Sequence, residues 1–470
     1  MKRELALLSI VWIAVTLVAR SALSESPRLA FYGARVLPSG LVVAFGSMTL
    51  GSATSPLIVI ADGSGCVVSS FYLEVEGRAA FLDSLLVDNS LVAVGYIDSV
   101  VGRRAVLAAE VRGGAVEWAA AFGSGFVDFA KSVAPFGGGY ALVGVTQPPD
   151  ASDSDALLIV VDRSGGLRGA YAVGSYMYND FAERCYATGG KLILVGSTWS
   201  HNVSFSDVFL ADVQGGSFAT LGGADRDDGY AAAAVGNGVV VTGSTLSSPG
   251  GFSDAFYAVV QGGSYRVFSI GWSSYDGFAD VYWTGGKLFM VGYSVREGKE
   301  LGLLVRAGEE GFEAGVMVEC EGDLSPLAVG AWREEVVAVF AYSGSLLVLT
   351  FDENLKPLRA FSIGYSAPPT VKVLQIESVS QRSYVLSGSW SLKRQTLSIK
   401  RVELQSQPLA AKLAPLDIPS QKALVEVGVL EEREPIWKTL IRLIEDNIPL
   451  LMIAVPLSAI IVAVVLRRRS

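Results

Sequence analysis

Residues 128–175 read DFAKSVAPFGGGYALVGVTQPPDASDSDALLIVVDRSGGLRGAYAVGS. Four short runs stand out in this stretch: DFAKSVAPF, YALVGV, DALLIVVD and LRGAYAVGS. Each is rich in β-branched and aromatic residues and bounded by Gly, Ser or Asp, which is the pattern of a strand. The GGG and DRSGG strings between them are turn signals. The strands are apolar at consecutive positions instead of alternate ones, so both faces of the sheet they form are expected to be buried.

The second run of this unit recurs along the chain as an apolar strand ending in glycine. It appears as LVVAFGS (to Gly46), LVAVGY (Gly95), YALVGV (Gly144), LILVGS (Gly196), VVVTGS (Gly243) and LFMVGY (Gly292). Two weaker copies follow, VVAVFAY with Ala341 in the glycine position and SYVLSGS to Gly388. The intervals are 49, 49, 52, 47, 49, 49 and 47 residues, which signals a propeller or a solenoid. Helical solenoids would show a 3.6-residue period and few glycines, whereas this chain carries 52 glycines. Four short strands per period joined by tight turns make a propeller blade. The expected fold is therefore an all-β propeller of four-stranded blades over residues 28–413. Eight blades follow from the eight anchors, with seven as the alternative because the last unit is the most degenerate and the richest in charge. Ring closure is expected to pair N-terminal with C-terminal strands, leaving no exposed sheet edge. Although 470 residues suggest about three domains on length alone, one ring absorbs nearly all of them.

The best-formed units share more than a period. After Gly144, Gly196 and Gly243 come SDALLIVVD, SDVFLADV and SDAFYAVV, and a glycine-turn-Asp string then leads to Asp128, Asp180, Asp228 and Asp276 in successive units. This resembles a bacterial and archaeal β-propeller repeat family of the seven-bladed type. Its units read roughly G-x-x-x-D-x-A, then V-x-G-x-T, then D-A-F. The match is good from about Phe122 to Gly292 and fades on both sides. The resemblance implies a cell-surface or secreted binding scaffold, and the family motif carries no catalytic residue.

The two ends place the ring. Lys2 and Arg3, an apolar run from Leu5 to Ala19, and Ala22-Leu23-Ser24 describe a secretory signal peptide over residues 1–24. Ile448–Leu466 is free of charge over 19 residues and is followed by Arg467-Arg468-Arg469, so a transmembrane helix with a cytoplasmic tail at 467–470 is expected. Residues 414–447 read as a proline-bearing stalk and a juxtamembrane amphipathic helix. The expected localisation is a single-pass protein of the cell membrane with its N-terminal domain extracellular. The whole chain has 37 basic and 46 acidic residues. Between residues 25 and 447 the charge is near −14, which argues against nucleic acid as a partner.

Candidate sites are few. A single histidine all but removes His-based triads and His-ligated metals. Asp128, Asp180, Asp228 and Asp276 could crowd a channel as a ligand ring, but their recurrence in each good unit favours a structural role in turns. Asp225 and Asp227 in DRDDG look faintly like a calcium loop yet lack its spacing, and the loop with Asp150, Asp153 and Asp155 is no more specific. No metal or cofactor is therefore expected. Asn202 lies in a glycosylation sequon, Asn202-Val203-Ser204. Cys66, Cys185 and Cys320 fall in distant units and are expected to be buried free thiols. The connections after the anchors differ most in content: MTLGSATS, IDSVVG, QPPDASDS, TWSHNVSFS, TLSSPGGFS and SVREGKE. In a ring they share one face, which is the expected binding surface for an extracellular protein or a glycan. The composition and motifs thus favour a binding scaffold without catalytic residues. The alternatives are a structural subunit of a surface layer or membrane complex, and a carboxylate-based carbohydrate-active enzyme.

Overall fold

The computed structural model describes residues 27–429, apart from 99, 150, 174–177, 201–204, 250–251, 273–274, 377–378, 380–382, 397–398 and 417. The expected signal peptide, juxtamembrane helix, transmembrane helix and tail lie outside the described residues. Among the described residues, no helix is long and apolar enough to cross a membrane.

Strands from Arg28 to Ile363 form seven four-stranded antiparallel meanders in chain order, at residues 28–74, 79–123, 127–173, 180–222, 227–270, 275–319 and 325–363. They are numbered here as blades 1 to 7. Blades 2 and 3 share one sheet through a single parallel bridge between Arg104 and Val127. The first strand of each blade lies beside the first strands of its neighbours, so these inner strands surround a central axis.

The apolar cores lie between blades. Phe45 and Ile58 of blade 1 pack with Phe81 and Leu107 of blade 2, and Phe289 and Leu304 of blade 6 pack with Phe340 and Leu349 of blade 7. Leu29 and Phe31 of blade 1 pack with Val339 and Ile363 of blade 7, which closes the ring. Strand Val42–Leu50 is buried along its first seven residues on both faces, as the consecutive apolar pattern requires. Each fully buried Phe in these seams contributes roughly 2–3 kcal/mol of transfer free energy. The molecule is a β-propeller, and the eight-blade expectation is corrected.

The anchor glycines have a steric cause. The inner strand carries a bulge in every blade, for example between Phe81 and Asp83 and between Ala182 and Arg184. The glycine pairs with the residue just before the bulge, where the inner backbone comes closest. A Cβ on Gly46, Gly95, Gly144, Gly196, Gly243 or Gly292 would overlap a carbonyl oxygen of the inner strand, that of Phe181 in the case of Gly196. In blade 7 the residue at this register is Phe340, opposite Pro326, and not Ala341. Its ring is accommodated because Gly302 of blade 6 has no side chain.

The eighth unit is not a blade. After blade 7 the chain turns back and runs around the outside of the ring as a strap. Thr370–Gln375 pairs with the outer strand of blade 6, Ser383–Val385 with blade 5, Ser391–Thr396 with blade 4 and Ile399–Arg401 with blade 3. Gln405–Pro408 then joins blade 2, Lys412–Pro415 blade 1 and Ser420–Lys422 blade 7. Leu424–Val429 returns to blade 6 and lies next to Thr370–Gln375, so the strap overlaps its own beginning. The expected propeller limit at residue 413 and the stalk from 414 are corrected, since strands continue to Val429. Gly388 sits in a strap turn, where an added Cβ would meet nothing within 4 Å. N- and C-terminal strands do pair, but only at the outer edge of blade 1. Among the described residues, no blade takes its four strands from both ends of the chain.

Candidate functional site

The repeat aspartates form clasps inside the blades. Asp128 accepts hydrogen bonds from Ser124 N (2.6 Å), Ser124 Oγ (2.8 Å) and Thr146 Oγ1 (2.6 Å). Asp180 accepts from Thr198 Oγ1 and from Ser200 Oγ at 2.7 Å. In blade 5 the equivalent is Asp227, which accepts from Gly223 N, Thr245 Oγ1 and Ser247 Oγ at 2.7, 2.5 and 2.9 Å. This corrects the sequence assignment of Asp228, whose carboxylate is held instead by Arg226 Nε (2.6 Å) and Ser206 Oγ (2.8 Å). Asp276 accepts from Trp272 N at 2.8 Å. Apolar pairs replace the Asp–Thr clasp at the same register in blades 1 and 2, Leu29 opposite Met48 and Ala79 opposite Ile97.

The Ser-Asp dipeptides staple one blade to the next. The carbonyl oxygens of Ser154, Ser206 and Ser253 accept hydrogen bonds from the backbone N–H groups of Asp180, Asp227 and Asp276, at 2.7, 2.7 and 2.8 Å. Asp155 and Asp207 start the third strands beside these staples. Burial pushes both carboxyls up to about 6, reinforced at Asp155 by the neighbouring Asp180 and Asp153. Burial likewise pushes Asp227 up to about 7 against the pull of its hydrogen bonds.

The channel holds a charged network that the sequence reading missed. The residue following the bulge is Asp83, Ser132, Arg184 and Asp280 in blades 2, 3, 4 and 6, always twelve residues before the anchor glycine. A bulge re-aims the side chain beside it, which turns this position toward the axis. Asp83 is fully buried and accepts from Arg35 Nε (2.9 Å), Arg35 Nη2 (2.6 Å), Ser132 Oγ (3.0 Å), Val133 N (3.0 Å) and Ser84 N (2.8 Å). Burial alone would raise its pKa, but Arg35, Arg184 and the Val133 N–H together hold it below the usual carboxylate range. Asp280 Oδ2 accepts from Val329 N at 3.0 Å, and burial raises its pKa against the fields of Arg184 and Arg35. A cavity of about 250 Å³ lies between Arg35, Arg184, Cys185, Ala231, Asp280 and Val329. These residues come from the inner strands of five blades, so the cavity is on the axis. The one signal in the sequence is a charged residue at the same register of otherwise apolar repeats.

The two faces of the ring differ. One is made of hairpins, including Gly113-Gly114, Gly137-Gly138, Gly189-Gly190, Gly262-Gly263 and Gly285-Gly286, with both residues at positive φ as tight turns between twisted strands require. The other carries the connections after the anchors, because inner strands begin opposite their ends, Asp128 opposite Thr146 for instance. On this loop face Tyr178, Trp199, Phe205, Phe252 and Tyr275 are exposed, Phe252 to 56% and Tyr275 to 59%. Trp199 N donates to Asn179 O (3.0 Å) and Ser253 bridges Tyr275, so Tyr178 adjoins Trp199 and Phe252 adjoins Tyr275.

Among the described residues, no group of three His, Cys, Asp or Glu side chains is arranged to hold a metal ion. Asp225 Oδ1 accepts from Arg226 N at 2.8 Å, and Asp227 is engaged in its clasp. Asn202 and Asp150 lie outside the described residues. The three cysteines are free, with Cys185 and Cys320 buried as expected. Cys66 is exposed, which corrects the expectation for it, because it follows a tight turn held by Asp62.

No protein-family model and no curated protein matches the chain. Among solved structures, the crystal structure of Sqt1 from Chaetomium thermophilum is 10% identical, with 72% of this chain and 90% of that chain covered and a TM-score of 0.37. A likeness of that size supports no argument about function.

Proposed function

We propose that this chain is a membrane-anchored extracellular propeller of the bacterial and archaeal repeat type, whose loop face binds a protein or glycan of the cell envelope. The observation that carries the reading is the gathering of Tyr178, Trp199, Phe205, Phe252 and Tyr275 on the loop face of blades 3 to 6. Exposed aromatics supply large, stiff contact area and stacking surface, and they are the residues interfaces use as anchors. The exposed large hydrophobics toward the hairpin ends, Val68, Leu86 and Leu358, are aliphatic and scattered. The export signal and the apolar C-terminal segment in the sequence support the localisation. In the channel, Arg35 and Asp83 are engaged in holding blades together, and binding rather than catalysis is the role that fits. The test is binding of the purified protein to an envelope extract and a glycan panel, with Trp199→Ser and Phe252→Ser combined. At least a tenfold loss of binding at unchanged thermal stability is expected. Full retention of binding by the double variant would reject the loop face, and turnover of a glycan abolished by one Asp→Asn change would replace binding by catalysis.

A further inference from the structure

The axial cavity is more than a packing defect. Three charged side chains line it, Arg35 of blade 1, Arg184 of blade 4 and Asp280 of blade 6, and Asp83 of blade 2 pairs with both arginines. Arg35 and Asp83 satisfy one another through two hydrogen bonds. Arg184 and Asp280 do not. Among the described residues, the Arg184 guanidinium makes one ion pair, to Asp83 at 3.7 Å, and no hydrogen bond, although it carries five N–H donors. Its side chain is 24% exposed and lines the cavity. Asp280 feels the Arg184 charge but makes no ion pair with it within 4 Å among the described residues, and its carboxylate keeps acceptor capacity beyond the Val329 and Val281 N–H groups.

A guanidinium and a carboxylate thus face a common space without closing on each other. An anion alone would satisfy Arg184 and be repelled by Asp280, and a cation alone would meet the reverse. Only a molecule with both charges answers both groups while adding no net charge to a partly buried site, where an uncompensated ion is expensive. The volume, about 250 Å³, is below the roughly 300–1,000 Å³ of drug-sized pockets, so the molecule has to be small. Cys185 adds no charge, since burial pushes its thiol up to about 12. Ala231, Ala232 and Val329 complete an apolar wall. We propose that the cavity is a binding site for a small zwitterion of the amino-acid class, with the ligand carboxylate on the fork of Arg184 and its ammonium on Asp280. The site is independent of the loop face.

Calorimetric titration of the full chain in detergent with each of the twenty amino acids, and with acetate and methylammonium as single-charge controls, tests this. Saturable heat is expected for at least one small amino acid, with both controls at least tenfold weaker. Arg184→Met is expected to abolish it and Asp280→Asn to weaken it at least tenfold. Arg184→Lys keeps the charge and removes the fork, and should bind about tenfold more weakly while folding as the parent does. Absence of heat with every amino acid, acetate binding as tightly as the zwitterion, or undiminished binding by the Lys variant would overturn the assignment.

Discussion

The blades and the strap are both made of strands, yet they are held by different forces. A blade strand such as Val42–Leu50 has a hydrogen-bonded neighbour on each edge and an apolar layer on each face. A strap strand such as Gln405–Pro408 has one neighbour and four exposed residues. Composition follows the difference. Residues 28–369 carry 20 basic and 35 acidic residues, whereas 370–429 carry eight and four. A net basic strap thus encircles net acidic blades, and Lys393 and Lys400 draw down the pKa values of Asp207 and Asp155 on blades 4 and 3. The strap also covers the outer strand of every blade, the edge that an open propeller leaves to aggregation. At the seam between blades 7 and 1, where no strand is shared, it is fastened by Ser70 Oγ to Leu416 O, Ser420 Oγ to Gly65 O, and Gly364 N to Pro419 O.

The sharpest way to break the comparison is one substitution made in both regions. Gly196→Ala forces a Cβ against the Phe181 carbonyl and should cost about 3 kcal/mol or more, in the range of severe overpacking. Gly388→Ala in the strap meets open space and should stay within about 0.5 kcal/mol, both read by urea unfolding. Equal costs would mean that the strap turn is packed like a blade.

A smaller effect concerns pH. Asp155 and Asp207 at about 6 and Asp227 at about 7 lie above the roughly 3.9 of an unfolded Asp. The folded state therefore binds more protons in this window. The stability these groups contribute is full below about pH 4 and is lost as pH rises through about 6 to 7. Unfolding free energy should fall from pH 5 to pH 8, and more steeply in Lys393→Gln/Lys400→Gln, which removes the strap charges that oppose the shift. An unchanged slope in the Asp155→Asn/Asp207→Asn/Asp227→Asn variant would count against this origin.

The smallest effect is kinetic. Amide exchange should be faster in Ser383–Val385 and Gln405–Pro408 than in Val42–Leu50, because short strands with one partner open locally. Equal protection would make strap and ring one cooperative unit.

Most of the ring was legible because its causes are local. Anchor glycines, apolar runs and turn dipeptides lie within one period, and each follows from the strand or hairpin it sits in. The string SYVLSGS was misread for the same reason: it looks like an anchor strand, but local pattern does not say what a strand will pair with. The partner of Ser391–Thr396 is Ser217–Gly222, far away in the chain, and only the closed ring brings them together. The recurrence of the aspartates pointed to the turns where their carboxylates accept hydrogen bonds, with blade 5 off by one residue because Asp227 and Asp228 are adjacent and register decides between them.

By itself the sequence determined that the chain repeats, that each repeat is a four-stranded sheet buried on both faces, and that acidic residues dominate the blades. The tertiary structure alone decided the number of blades, the strap and the axial cavity. Arg35, Asp83, Arg184 and Asp280 are spread over 246 residues of chain and meet only because seven inner strands converge on one axis. A period in the sequence sets the size of a blade, but how many blades close the ring depends on the packing angle between neighbouring sheets, which no single repeat contains.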